Sequence, residues 1–214
     1  MRIAMGTYDR NVIILITSGE IDSSLEEQAA ALQSKAETKG VVSSRVTVRF
    51  DASARTFRRD DADSLGRAIA DVSGDSRIYL AGPGDWEAGT IGGAAPDEVA
   101  ALLAGASLHD VRLISIVSSE LGRDSGTSQA ERISSAMDSF AARLHRLLKQ
   151  SGIATTLHAR VYRTRTSVDA DSAGRKITAD ADDQFDDSAE GHHRPNSKLR
   201  FYWDGDVQKR DWAY

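Results

Sequence analysis

Four times in succession an apolar, β-rich run gives way to a stretch with helical spacing, and this alternation constrains the fold more than any other feature of the chain. The first run, Val12-Ile13-Ile14-Leu15-Ile16, lies within a predicted strand over 11–17. Ser23-Ser24-Leu25-Glu26 then supplies a Ser-x-x-Glu capping box for a helix over about 24–37, ending before Gly40. Residues 45–50 alternate polar and apolar as a half-exposed strand does, and residues 61–72 place apolar side chains at 62, 65, 69 and 72, a helical spacing. A short core strand is predicted at 77–81. Pro96 suits the first position of the next helix, Asp97 and Glu98 its positive end, and Gly105 a left-handed stop. Strand 111–117, a long helix over 128–150 closed by Gly152, and a long strand over 153–166 follow. Repeated β-then-α units imply parallel strands joined by right-handed crossovers, hence an α/β doubly wound, mostly parallel sheet with flanking helices. Sites in such sheets lie at the carboxyl ends of the strands.

At 214 residues and 40% apolar content the chain suits a single domain. Residues 1–152 form the expected α/β core, and 153–214 add the last core strand, a β-hairpin flap with an acidic loop, and a terminal strand around Lys198-Leu199-Arg200-Phe201-Tyr202-Trp203. The net charge of −5 disfavours a general nucleic-acid or anionic-membrane surface, while leaving room for a local basic pocket. Five apolar residues after Asp9, Arg10 and Asn11 are too few for a signal-peptide core or a membrane span. There is no cysteine, so disulfides, thiolate metal sites and thiol nucleophiles are all absent.

The strand at 77–81 runs into Ala81-Gly82-Pro83-Gly84-Asp85-Trp86, and the strand at 111–117 ends close to Ser119. Downstream stand Asp171-Ser172-Ala173-Gly174-Arg175-Lys176 and a Lys198-x-x-x-x-Trp203 pattern. In collinear order, with Ala95-Pro96-Asp97-Glu98-Val99-Ala100-Ala101-Leu102-Leu103 and Ser135-Ala136-Met137-Asp138 between them, these segments resemble the self-cleaving cysteine protease domains of the MARTX and large clostridial toxins. That family, activated by inositol hexakisphosphate, has a strand ending in Gly-His-Gly and a later one in Val-Gly-Cys. The resemblance implies a caspase-like core with a β-flap, and a bacterial protein secreted or delivered to a target-cell cytosol by a specialised route. It places Pro83 where the family has its His and Ser119 where it has its Cys. It also implies an inositol polyphosphate, as an allosteric ligand, held between core and flap. Arg175, Lys176 and Lys198 match that pattern most directly, and Arg163, Arg165, Lys35 and Arg10 less so. Against tight polyanion binding, the span 169–190 holds eight acidic residues and two basic ones.

A thiol protease needs a thiolate to attack the carbonyl and an imidazole to manage its proton. Pro83 has no donor, acceptor or titrating group, and a serine hydroxyl at 119 requires an adjacent base. His109, His145 and His158 are predicted away from the strand ends, and His192-His193 falls in the acidic loop. The glycine-rich stretch 82–93 lacks the Gly-Lys-Ser/Thr ending of a phosphate loop. Asp180, Asp182, Asp183, Asp186, Asp187 and Glu190 lack the spacing of a calcium loop, so no metal is expected. The expectation is a catalytically degenerate protease domain, a pseudoprotease that binds a polyanion and a host or toxin protein. The rival is an active autoprocessing hydrolase, with Ser119 as nucleophile or standing in place of an original Cys.

Overall fold

The computed structural model describes residues 8–124, 129–169, 173–179 and 197–213. Strand β1 (Arg10–Thr17) leads through α1 (Ser23–Glu37) to β2 (Val42–Asp51) and the two-residue β3 (Thr56–Phe57). Next come α2 (Arg59–Ile69), β4 (Arg77–Ala81), a small hairpin of β5 (Gly84–Asp85) and β6 (Thr90–Ile91), α3 (Pro96–Gly105) and β7 (Asp110–Val117). After α4 (Gln129–Ser134), α5 (Phe140–Gln150) and β8 (Ala154–Arg160), the chain makes β9 (Thr164–Thr166), β10 (Lys176–Thr178), β11 (Lys198–Asp204) and β12 (Val207–Trp212). Eight strands form one sheet in the order β12-β11-β8-β7-β4-β1-β2-β3. Its five central strands are parallel, and β3, β11 and β12 join antiparallel at the edges. This is the mostly parallel α/β sheet that the strand–helix alternation implies, consistent with a caspase-like fold.

β1 is buried on both faces because its residues alternate between two cores. Val12, Ile14 and Ile16 point into a large cluster with Leu65 and Ile69 of α2, Leu103 of α3 and Leu144 of α5. Ile13 and Leu15 pack under Ala29 and Leu32 of α1. Burying each of these aliphatic side chains stabilises the fold by about 1.5–3 kcal/mol. α1 thus covers the second face over β1, and farther along that face, over β7, lies the β9–β10 hairpin.

Several boundaries differ from the sequence reading, each for a local reason. Asp22 caps α1, its carboxylate accepting from Ser24 N at 2.9 Å, in place of the Ser23/Glu26 box. Gly105 stays inside α3, and the left-handed residue is Ser107 at φ 64°. The single helix expected over 128–150 breaks at Ser139, which adopts extended backbone and caps α5 through Ala142 N at 3.2 Å. Gly152 closes α5 at φ 77° as expected. The long strand over 153–166 is interrupted after Arg160, where the chain turns to the loop following β7: Gly122 N donates to Arg160 O at 2.7 Å and Glu120 N to Tyr162 O at 3.3 Å. Lys198 opens β11 of the main sheet, beside β8, and is not part of the flap hairpin. The acidic stretch 180–190 and His192-His193 lie outside the described residues.

The hairpin docks on α1 through backbone groups. Thr166 N donates to Gln28 Oε1 at 2.9 Å, and Lys35 Nζ to Gly174 O at 3.1 Å. Gly174 has φ 72°, and a Cβ there would lie 2.7 Å from Ala31 O. Only glycine fits both the left-handed turn and this approach. Gly174→Ala is therefore expected to lower the unfolding free energy by about 1–3 kcal/mol, read by urea denaturation, and a loss below about 0.3 kcal/mol would contradict this docking.

Candidate functional site

The register sets Leu15 opposite Ala81 and Ala81 opposite Val117, so Pro83 and Ser119 leave the same edge of the sheet. The two loops touch there: a Cβ at Gly84 would collide with the Ser118 hydroxyl and lie 2.8 Å from Ser119 O. Pro83 is exposed and offers only its carbonyl, which accepts from Gly92 N at 2.7 Å. The half-buried Ser119 hydroxyl is held by backbone, donating to Thr164 O at 3.4 Å and accepting from Thr164 N at 3.3 Å. A hydroxyl whose proton points at a peptide carbonyl has no base to remove it. Among the described residues no imidazole reaches it. His109 is exposed before β7, His145 is fixed between Thr155 O and Gln208 Nε2 at 3.0 and 2.9 Å, and His158 faces a separate cavity. Beside the loop, Glu120 (φ 61°) pairs with buried Arg123 at 2.6 Å, and the Arg123 guanidinium lies 3.9 Å over the Trp86 ring.

That cavity, of about 230 Å³, lies on the sheet face between α1 and the flap hairpin. Alternate residues of the strands line it: Arg77 and Tyr79 of β4, Ser115 and Val117 of β7, His158 and Arg160 of β8. Lys198 of β11 closes one side, and Lys35 of α1 with Gly174 and Lys176 of the flap form the roof. Five cationic side chains meet there, and no carboxylate lines the cavity among the described residues. Lys176 Nζ donates to Thr166 Oγ1 at 2.8 Å, Arg160 Nη1 to Ser197 Oγ at 2.5 Å, and Arg77 Nη1 to the Tyr79 hydroxyl at 2.6 Å. The Arg77 guanidinium also lies 3.7 Å from the centre of the Tyr8 ring.

Crowding of like charges out of water lowers the proton affinity of the group. Burial, then Arg160 and Arg77, push Lys198 down to about 8. Burial, then Arg160, Lys35 and Arg77, hold Lys176 well below the usual lysine range. Lys35 is lowered by burial, then by Lys39, Arg175 and Arg77. Burial alone brings Arg160 to about 10, so it remains a cation at neutral pH. His158 falls to about 3 through burial, then Lys198, Arg77, Arg200 and Arg160, and is a neutral imidazole at pH 7. Preorganised donors with nothing negative among the described residues around them can stabilise an anion there.

The Peptidase C80 family matches residues 6–179, from before β1 to the end of the flap hairpin. The chain belongs to the Peptidase C80 family. No curated protein matches it. This C80 domain carries no cysteine anywhere, so a thiol cannot be its nucleophile.

Of the cations singled out from the sequence, the cavity brings together Lys35, Lys176 and Lys198. Arg175 is exposed at the flap turn, close enough to Lys35 to lower its pKa. Arg163 and Arg165 share one side of the flap as their spacing implies, but that side is exposed, while Thr164 between them lines the cavity. Arg10 lies at the start of β1, paired with Asp71 at 3.2 Å, outside the cavity. Arg77, Arg160 and His158 were not anticipated. Their signal was the period of two, Arg77/Tyr79 and His158/Arg160, marking a polar face on strands otherwise read as core. No group of residues suited to a metal ion occurs among the described residues, and none of their helices is long and apolar enough to cross a membrane.

Because Lys198 titrates at about 8 in the fold against 10.5 ordinarily, the unfolded chain binds the extra proton between these values. Stability therefore increases as pH rises from about 8 towards 10.5, and Lys176 and Lys35 act in the same direction. The ligand-free protein is expected to show a rising unfolding free energy across this window, reduced in Lys198→Met. A flat or falling profile in the wild type would contradict the uncompensated cluster.

Proposed function

We propose that this C80 domain is a pseudoprotease, a polyanion-binding regulatory module of a bacterial toxin or effector whose ligand is an inositol polyphosphate. The reading is carried by one observation, the cavity between sheet and flap that gathers five cations and, among the described residues, no carboxylate. Charge-assisted bonds to phosphate are the strong kind, and guanidinium forks from Arg77 and Arg160 suit phosphate oxygens. Inositol hexakisphosphate, the activator in the toxin domains the chain resembles, presents enough charge to offset all five. Proteolysis is not part of the role: position 119 offers a hydroxyl tied to Thr164 backbone, and position 83 offers no base. The module instead responds to the anion by fixing the flap on the sheet, and so presents or withdraws a surface for a protein partner. Delivery to a target-cell cytosol would supply the ligand.

Thermal unfolding with and without inositol hexakisphosphate tests this reading. At ligand about 100-fold above Kd the stabilisation is about 2.7 kcal/mol, or about 5–10 °C in Tm for a chain of this size. Lys176→Ala with Arg160→Ala is expected to remove most of that rise, and increasing salt to weaken it steeply. Intact mass is expected to stay constant over a day with ligand. An unchanged Tm at millimolar ligand and low salt would contradict the binding role, and specific cleavage lost in Ser119→Ala would contradict the pseudoprotease role.

A further inference from the structure

We propose that Lys176 is a nucleophilic amine and that the cavity around it takes small anionic aldehydes, phosphorylated ones above all, as covalent Schiff-base ligands. The inference rests on the anion-binding reading of the same cavity, and adds to it a reactive group. Lys176 projects from β10 into a space walled by cations from four other elements: Lys35 of α1, Arg77 of β4, Arg160 of β8 and Lys198 of β11. Its Nζ has one hydroxyl acceptor, Thr166 Oγ1 at 2.8 Å, and lies 5.7 Å from the centre of the Tyr79 ring. Among the described residues no carboxylate accompanies it in the cavity. An ammonium so placed would leave most of its donors unmet among like charges, so the ligand-free state favours the neutral amine. Burial and the neighbouring cations hold its pKa well below the usual lysine range, in agreement with the geometry. Desolvation beside a second cation is a recognised way of making lysine a nucleophile at neutral pH.

The cavity has the size and the charges for such a partner. At about 230 Å³ it admits a phosphate and a short carbon skeleton. Arg77 and Arg160 keep their charge and hold the phosphate, which leaves the aldehyde to the amine. The Nζ lone pair attacks the carbonyl carbon, forming a C–N bond as the C=O π pair moves to oxygen. The carbinolamine then loses water: both amine hydrogens depart with the carbonyl oxygen and C=N forms, without change of oxidation state. Lys198, titrating at about 8 in the same cavity, lends a proton to the departing hydroxyl and takes back the one the nitrogen gives up. A bound polyphosphate would instead return Lys176 to the ammonium and silence it.

The test uses pyridoxal 5′-phosphate and unphosphorylated pyridoxal on the full chain, with borohydride reduction and peptide mapping. Lys176 is expected to be labelled faster than the exposed Lys39 and Lys209 by about tenfold or more, the gain in neutral amine for each unit by which pKa falls. Pyridoxal is expected to label it far more slowly than the phosphorylated reagent, and inositol hexakisphosphate to protect it. Lys176→Arg should lose this adduct while Lys39 and Lys209 react as before. Should that variant fail to fold, the wild-type map and the ratio between the two reagents decide alone. Labelling of Lys176 no faster than Lys39 and Lys209, or equally by pyridoxal, would overturn the proposal. If inositol hexakisphosphate still raises Tm in that case, the anion pocket stands and only the amine's reactivity falls; if it does not, both readings fall.

Discussion

Repulsion among Lys35, Arg77, Arg160, Lys176 and Lys198 is the interaction on which the second face of the sheet depends. Each of these side chains is delivered by a different element, and together they occupy a space that a packed apolar core would otherwise fill. An assembly that gathers like charges away from water is costly unless a counter-charge arrives. The depressed proton affinities of Lys176 and Lys198 register that cost. The flap is held over the pocket by a few bonds to α1, chiefly Thr166 N to Gln28 and Lys35 to Gly174 O, together with the close fit of Gly174 on Ala31.

The pocket is also joined to the loop that carries Ser119. Arg160 lines the cavity with its side chain and accepts from Gly122 N with its carbonyl, and Thr164 lines it while its backbone grips the Ser119 hydroxyl. Arg160 and Thr164 thus touch both the cavity and the strand-end loop. Gly84 fits so closely against the 118–121 loop that a Cβ there would collide with the Ser118 hydroxyl. The chain has no thiol to place there, and among the described residues no imidazole hydrogen-bonds to Ser119.

Much of the fold was legible because its central strands are buried. Val12-Ile13-Ile14-Leu15-Ile16 and 111–117 have no alternative to the middle of a sheet, and the helices between them set parallel pairing. What escaped the sequence depends on partners distant in the chain. β12, Val-Gln-Lys-Arg-Asp-Trp, is an edge strand whose charged residues give no apolar run, and it exists because it pairs with β11. The break after Arg160 is set by bonds from Gly122 and Glu120, and that at Ser139 by a hydroxyl serving two helical segments. For the site, the family resemblance led to Lys176, Lys198 and Lys35. Periodicity shows which strand residues share a side, as it does for Arg163 and Arg165, but not which face a helix leaves uncovered, so Arg77 and Arg160 went unseen.

Calorimetric titration with inositol hexakisphosphate at pH 8.5, in two buffers of different ionisation enthalpy, tests the central claim most directly, because it counts the protons that accompany the anion. Burial among like charges lowers the proton affinity of Lys198 and Lys176, and a bound counter-charge raises it, so binding is expected to take up about one proton or more. Binding without proton uptake, or no binding at low salt, would contradict the account of a cation cluster waiting for its anion.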